Sequence, residues 1–195
     1  MPLPSAAATR LLKHRRQIDV QVYARGDGLW EVDALLVDTK TRISNMADGP
    51  RPAGTPIHEM LLRLVVNERL DVMEAGSETR WMPYPGLCSE HGDAYAQLVG
   101  LNLLQDFHRS VRARLGGARA CTHITELAQV LPTAVVQAFA GEVIDTRGTG
   151  EGASQPFQID RCHALRSDGE AVRQFYPRWY RAVPAPPPRP PPNND

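Results

Sequence analysis

The pattern of apolar and polar positions changes period partway along the chain. From Gln17, Ile18, Val20 and Val22 alternate with Asp19, Gln21 and Tyr23, the period-two signature of a strand with one buried face. Arg25-Gly26-Asp27-Gly28 supplies turn residues that tolerate positive φ, and residues 29–38 read as the returning strand of a hairpin. Residues 39–56 are polar and rich in Gly and Pro. They predict a long loop or flap, well beyond the median connection of about 4–6 residues. Residues 57–66 form a third apolar segment, and Asn67-Glu68-Arg69 turns it into a fourth over 70–75. Paired in chain order, the four segments make an antiparallel meander.

Beyond Gly76 the chain reads as irregular until Tyr95, broken by Pro83, Pro85 and Gly86. The period then becomes helical. Phe107, Val111 and Leu115 form one stripe that ends at Gly116-Gly117. Ile124, Leu127, Ala128, Leu131, Val135 and Phe139 fall on one face of a second helix, which Pro132 is expected to kink or split. A glycine-rich loop over 141–156 precedes a short helix with Ala171, Val172 and Phe175. The expected fold class is α+β: a four-stranded antiparallel meander in the N-terminal half, packed by helices from the C-terminal half. Residues 1–15 read as a flexible lead-in, 16–182 as one domain and 183–195 as a disordered proline-rich tail.

Composition narrows the partners. The chain has 195 residues with 22 Lys+Arg against 22 Asp+Glu, so no global field recruits nucleic acid or an anionic membrane. The basic run Lys13-His14-Arg15-Arg16 has no interleaved aromatics and reads as a solvated segment. No apolar stretch approaches the roughly 20 residues of a membrane helix, and no secretory signal is visible. Three widely spaced cysteines do not make a disulfide framework. A cytoplasmic protein with reduced thiols is expected. Its oligomeric state stays open between monomer and homo-oligomer.

Candidate chemistry concentrates at Cys121-Thr122-His123-Ile124-Thr125-Glu126, where a thiol, an imidazole and a carboxylate crowd the first turn of the second helix. With Thr122 as N-cap, His123 and Glu126 are three apart and can touch, so the carboxylate would orient the ring as a general base. In the opposing reading Cys121 is a small buried hydrophobe and Glu126 complements the helix dipole. His58 shares one strand face with Met60, Leu62 and Leu64, and a flexible loop runs into it. Cys162-His163, followed by Asp168, is the third cluster. These cysteines and histidines could ligate zinc or iron, although the usual spacings, Cys-x-x-Cys and His-Glu-x-x-His, are absent. No Gly-rich dinucleotide turn and no phosphate loop is present.

The segments Arg25-Gly-Asp-Gly-Leu-Trp-Glu-Val-Asp, Pro56-Ile-His-Glu-Met, Cys121-Thr-His-Ile-Thr-Glu-Leu, Cys162-His-Ala-Leu and Pro177-Arg-Trp-Tyr together resemble the bacterial family called domain of unknown function 2889. The resemblance runs from about Arg16 to Tyr180. The family's typical Gly-Cys-Thr-His-Leu stands here as Ala120-Cys121-Thr122-His123-Ile124. Membership implies a small bacterial protein associated with catabolism of aromatic or acyl compounds, with no settled activity.

The function expected from these readings is a small-molecule enzyme, of lyase, isomerase or hydrolase type, using acid/base chemistry without an organic cofactor. His58 or His123 would be the base, Glu126 its orienter, and Asp168 or Arg63 the anchor of a polar substrate group. Tyr23, Trp30 and Met60 would line the pocket. One alternative makes Cys121 or Cys162 a nucleophile served by a histidine such as His163. A second builds a zinc or iron site from the Cys/His pairs, and a third is a non-enzymatic accessory or scaffold protein.

Overall fold

A computed structural model describes residues 3, 5, 9–90, 93–149 and 152–182. The chain divides into two compact units, 1–138 and 139–195. The expected tail over 183–195 lies outside the described residues, as does His91.

The first unit is built on strands β1 (His14–Ala24), β2 (Trp30–Lys40), β5 (Pro56–Val66) and β6 (Val72–Trp81), paired antiparallel in that order. This is the meander expected from the sequence, and the architecture is α+β. The flap between β2 and β5 folds into a small hairpin of β3 (Ser44–Met46) and β4 (Gly49–Arg51). Strand β6 runs on to Trp81, through a segment whose polar and glycine content hid it.

Alternation sets which face is covered. Along β2 the even positions from Trp30 to Asp38 are buried and the odd ones are not. Val32, Leu36, Met60, Leu62, Leu64 and Val66 are nearly inaccessible. Strand β1 lies at the sheet edge and is less covered than its alternation suggested: Val20 and Val22 are half-buried and Ile18 is exposed.

Two helices follow, α1 (Phe107–Leu115) and α2 (Thr122–Phe139), and the expected stripes of both are buried. Gly117, with φ of 69°, makes the turn between them in a conformation that glycine adopts at little cost. Helix α2 continues through Pro132 as one helix, so the chain does not split in two there. Burial of Leu131, Val135 and Phe139 around it outweighs the lost backbone hydrogen bond. Tyr95 donates from its hydroxyl to the Cys121 carbonyl at 2.7 Å and lies 3.1 Å from Thr125 Oγ1, tying down the start of α2.

The second unit contains α3 (Glu170–Phe175) and short 3-10 turns around buried Ile159 and Val172. Gln158 Nε2 donates to the Thr146 carbonyl at 2.6 Å and to the Tyr176 hydroxyl at 3.1 Å, bracing its loops. No helix among the described residues is long and apolar enough to cross a membrane.

Candidate active site

Asp38 ends the buried row of β2, where the pattern of apolar side chains stops at a carboxylate. It is only 2% exposed, and a buried charge requires partners. Four donor atoms supply them. Arg16 donates to it in bidentate fashion, Nε to Oδ1 at 2.9 Å and Nη2 to Oδ2 at 2.7 Å. His14 Nε2 lies 3.0 Å from Oδ1, and His58 Nδ1 lies 3.0 Å from Oδ2. The sheet register makes this cluster: Arg16 pairs with Asp38 across β1 and β2, and Asp38 pairs with His58 across β2 and β5. The ladder slips by one residue just beyond, between Asp38 and Thr39, and such irregularities re-aim side chains at strand ends.

Helix α2 adds a third imidazole to those of His14 and His58. The rings of His123 and His58 stack with centroids 3.9 Å apart and planes tilted by 32°. His123 Nε2 lies 3.9 Å from Asp38 Oδ2. Its Nδ1 is 3.8 Å from Cys121 Sγ, which is itself 3.5 Å from Met60 Sδ. The Cys121 carbonyl accepts the Thr125 N–H at 3.0 Å, so Cys121 rather than Thr122 stands at the cap of the helix. A cleft of about 790 Å³ opens onto this corner, lined by His58, His123, Cys121 and Met60 and walled by Pro83, Tyr84 and Leu87.

The electrostatics follow from burial and from Arg16. Burial alone would raise the Asp38 pKa, but the Arg16 guanidinium, helped by His58 and His14, takes it down to about 2. Both stacked imidazoles have lowered pKa values. For His58 desolvation outweighs the opposing pull of Asp38. For His123 desolvation acts with the charges of His58 and Arg16. The corner therefore holds an ionised carboxylate beside two neutral rings. Such a ring can accept a proton, and its charged form is stabilised by the carboxylate it faces.

His58, His123, Cys121 and Met60 thus meet in one place. Other candidates of the first unit sit elsewhere in it. Glu126 does not hold His123: its carboxylate takes Arg16 Nη1 at 2.6 Å, because the long guanidinium spans from β1 to the first turn of α2. The carboxylate facing the imidazoles is Asp38. Arg63 falls on the opposite sheet face from His58, since strand neighbours alternate sides. There it is paired with Asp33 at 2.6 Å and Glu31 at 3.3 Å. Tyr23 shares that outer face, opposite Glu31. Trp30 is buried at the other end of β2, eight residues from Asp38 and so roughly 27 Å away. Cys162, His163 and Asp168 belong to the second unit. Cys162 and His163 are exposed there at a 3-10 turn, and Asp168 accepts from Arg166 at 2.9 Å.

Sequence reasoning missed His14, Arg16 and Asp38. One signal was available: Asp38 has the parity of Val32, Ala34 and Leu36, so it is a carboxylate in a core row. Within the basic run, His14 and Arg16 share that face across the ladder, which a reading of the run as uniformly solvated overlooks.

No curated protein and no solved structure matches the chain. The pattern of one family does match, over residues 14–137, which includes every side chain gathered around Asp38. The chain belongs to the family described as Protein of unknown function (DUF2889).

Proposed function

We propose that the protein is a small-molecule enzyme that runs acid/base chemistry in this cleft, of lyase, isomerase or hydrolase type, without an organic cofactor. The observation that carries the reading is the Asp38–His58 pair, Oδ2 to Nδ1 at 3.0 Å, in a corner open to the cleft. With Nδ1–H donated to the carboxylate, His58 keeps the lone pair of Nε2 as the base, and Asp38 stabilises the imidazolium that forms. His123 is its partner. Two rings stacked at 3.9 Å do not both carry a proton comfortably, so the pair holds one proton and returns it to the product. The Cys121 thiol donates to Met60 Sδ at 3.5 Å, which leaves its sulfur to accept from His123 Nδ1 at 3.8 Å and leaves the His123 lone pair on Nε2. Met60, Pro83, Tyr84 and Leu87 give the cleft the apolar wall that an aromatic or acyl substrate would use.

The test is turnover. Purified protein is assayed against panels of aromatic acids and acyl thioesters, and the active compound is then used on variants. His58→Ala is expected to lose on the order of 10²–10⁴ in rate with the fold retained. Full turnover by both His58→Ala and His123→Ala would sink the assignment.

A further inference from the structure

We propose that Asp38, His58 and His123 capture one divalent first-row transition-metal ion, of the zinc or iron(II) class. Capture rests on geometry and charge alone and is separate from the acid/base reading above, because an ion on His58 Nδ1 leaves the proton on Nε2 and takes that ring out of the role of base.

One ligand atom from each of the three residues lies within 4.8 Å of the other two. Asp38 Oδ2 is the shared vertex, 3.0 Å from His58 Nδ1 and 3.9 Å from His123 Nε2. A tetrahedral ion with bonds of about 2.0–2.2 Å holds its ligands roughly 3.4 Å apart. The two distances bracket that value and the third separation, between the imidazoles, lies within 4.8 Å, so the side chains must shift to close on an ion. On capture the Nδ1 proton of His58 moves, by exchange with solvent, to Nε2, so the ring ligates as a neutral imidazole.

Charge points the same way. Arg16 is shared between two carboxylates, Asp38 at 2.7 Å and Glu126 at 2.6 Å. One guanidinium against two carboxylates leaves a single negative charge beside the imidazoles of His14, His58 and His123, and that charge attracts a dication. Nε of Arg16 sits on Oδ1 at 2.9 Å, so the guanidinium can keep orienting the carboxylate through Oδ1 while its Nη2, now 2.7 Å from Oδ2, shares that oxygen with the ion or yields it.

Ligand type selects the metal. Two imidazoles and one carboxylate suit zinc or iron(II), whereas magnesium and calcium prefer oxygen ligands throughout. The sulfur of Cys121, 3.8 Å from His123 Nδ1, adds a soft neighbour. Three protein ligands leave a coordination position for water or substrate, as at catalytic rather than structural sites. His58 and His123 both line the cleft that would give access to it.

Full-length protein stripped with a chelator is titrated with Co²⁺, read by its visible absorption, and with Zn²⁺ by calorimetry. One equivalent should bind, and zinc should raise the thermal midpoint. His123→Gln and Asp38→Asn should each lose at least about tenfold in affinity, with folding checked by circular dichroism. His108→Ala, on α1, should bind as the parent does. Absence of saturable binding would overturn the site, as would binding undiminished in His123→Gln and His58→Gln. Turnover that persists in stripped protein lacking any saturable site removes the ion and leaves the acid/base reading standing. Ion capture by the parent, with full turnover in His58→Ala, does the reverse.

Discussion

Asp38 and His58 are register partners on neighbouring antiparallel strands, and their side chains meet at 3.0 Å on the covered face of the sheet. The pairing places a carboxylate against an imidazole through backbone hydrogen bonding alone. Arg16, the register partner of Asp38 on the other side, completes a row of three across β1, β2 and β5. The row is rigid because the ladder is.

Asp38→Asn removes the charge that Arg16, His14 and His58 share, leaving Arg16 with only Glu126. Breaking a buried pair in this way typically costs about 3–5 kcal/mol. Partial exposure of Arg16 lowers the expectation to roughly 2–3 kcal/mol. Urea unfolding of the parent and the variant measures it, and a loss below 0.5 kcal/mol on the order of a surface substitution would refute the role.

Acid stability should follow the same carboxylate. Its pKa is lowered from 3.8 to about 2 on folding, so its contribution is fully present above pH 4 and is lost as pH falls toward 2. The difference corresponds to about 2 kcal/mol. A series of unfolding curves between pH 5 and pH 2 should show this loss in the parent and a shallower one in Asp38→Asn.

The two stacked imidazoles carry the pH expectation for the proposed base, with pKa values shifted opposite to those of a surface histidine gaining a partner. His58 and His123 both titrate below 6.5 in the folded chain, so each stays neutral, and competent as a base, under mildly acidic conditions. The acid limb of kcat/KM is expected below pH 6.5. In Asp38→Asn the His58 midpoint should fall further, because the carboxylate favours the charged ring. Nuclear magnetic resonance titration of the ring protons reads both, and a rise in the variant would contradict the arrangement.

Glu126→Gln separates the two anchors of Arg16. The Glu126 pair is solvent-exposed while the Asp38 pair is not. An exposed pair contributes about 0–1 kcal/mol, so this variant should unfold almost as the parent does. Arg63→Gln should likewise leave turnover unchanged, since Arg63 lies on the other sheet face in an exposed pair with Asp33. Loss of activity in Arg63→Gln would place the reactive face wrongly.

Tyr95→Phe probes the helix start. The hydroxyl bridges the Cys121 carbonyl and Thr125, and burial pushes its pKa up to about 12. Deleting it should cost about 1 kcal/mol. A lower turnover number would follow from the looser placement of His123, read as a fall in kcat with KM little changed.

Local pattern was enough for the sheet and the helices. Alternation at Val32, Ala34 and Leu36, and helical spacing from Ile124 to Val135, are determined by which positions must leave water. The motif Cys121-Thr122-His123 was legible for the same reason, as reactive groups where a helix begins. The partner of those groups was not. Glu126 is a sequence neighbour of His123, whereas Asp38 is a strand neighbour of His58 and stands 85 positions before His123. Only the register of β1, β2 and β5, with the seat of α2 upon them, brings His14, Arg16, Asp38, His58 and His123 together. Burial then decides the charges. With Asp38 buried and both rings partly so, the carboxylate must be paired and the imidazoles are better left neutral, and neither state is written in any one segment.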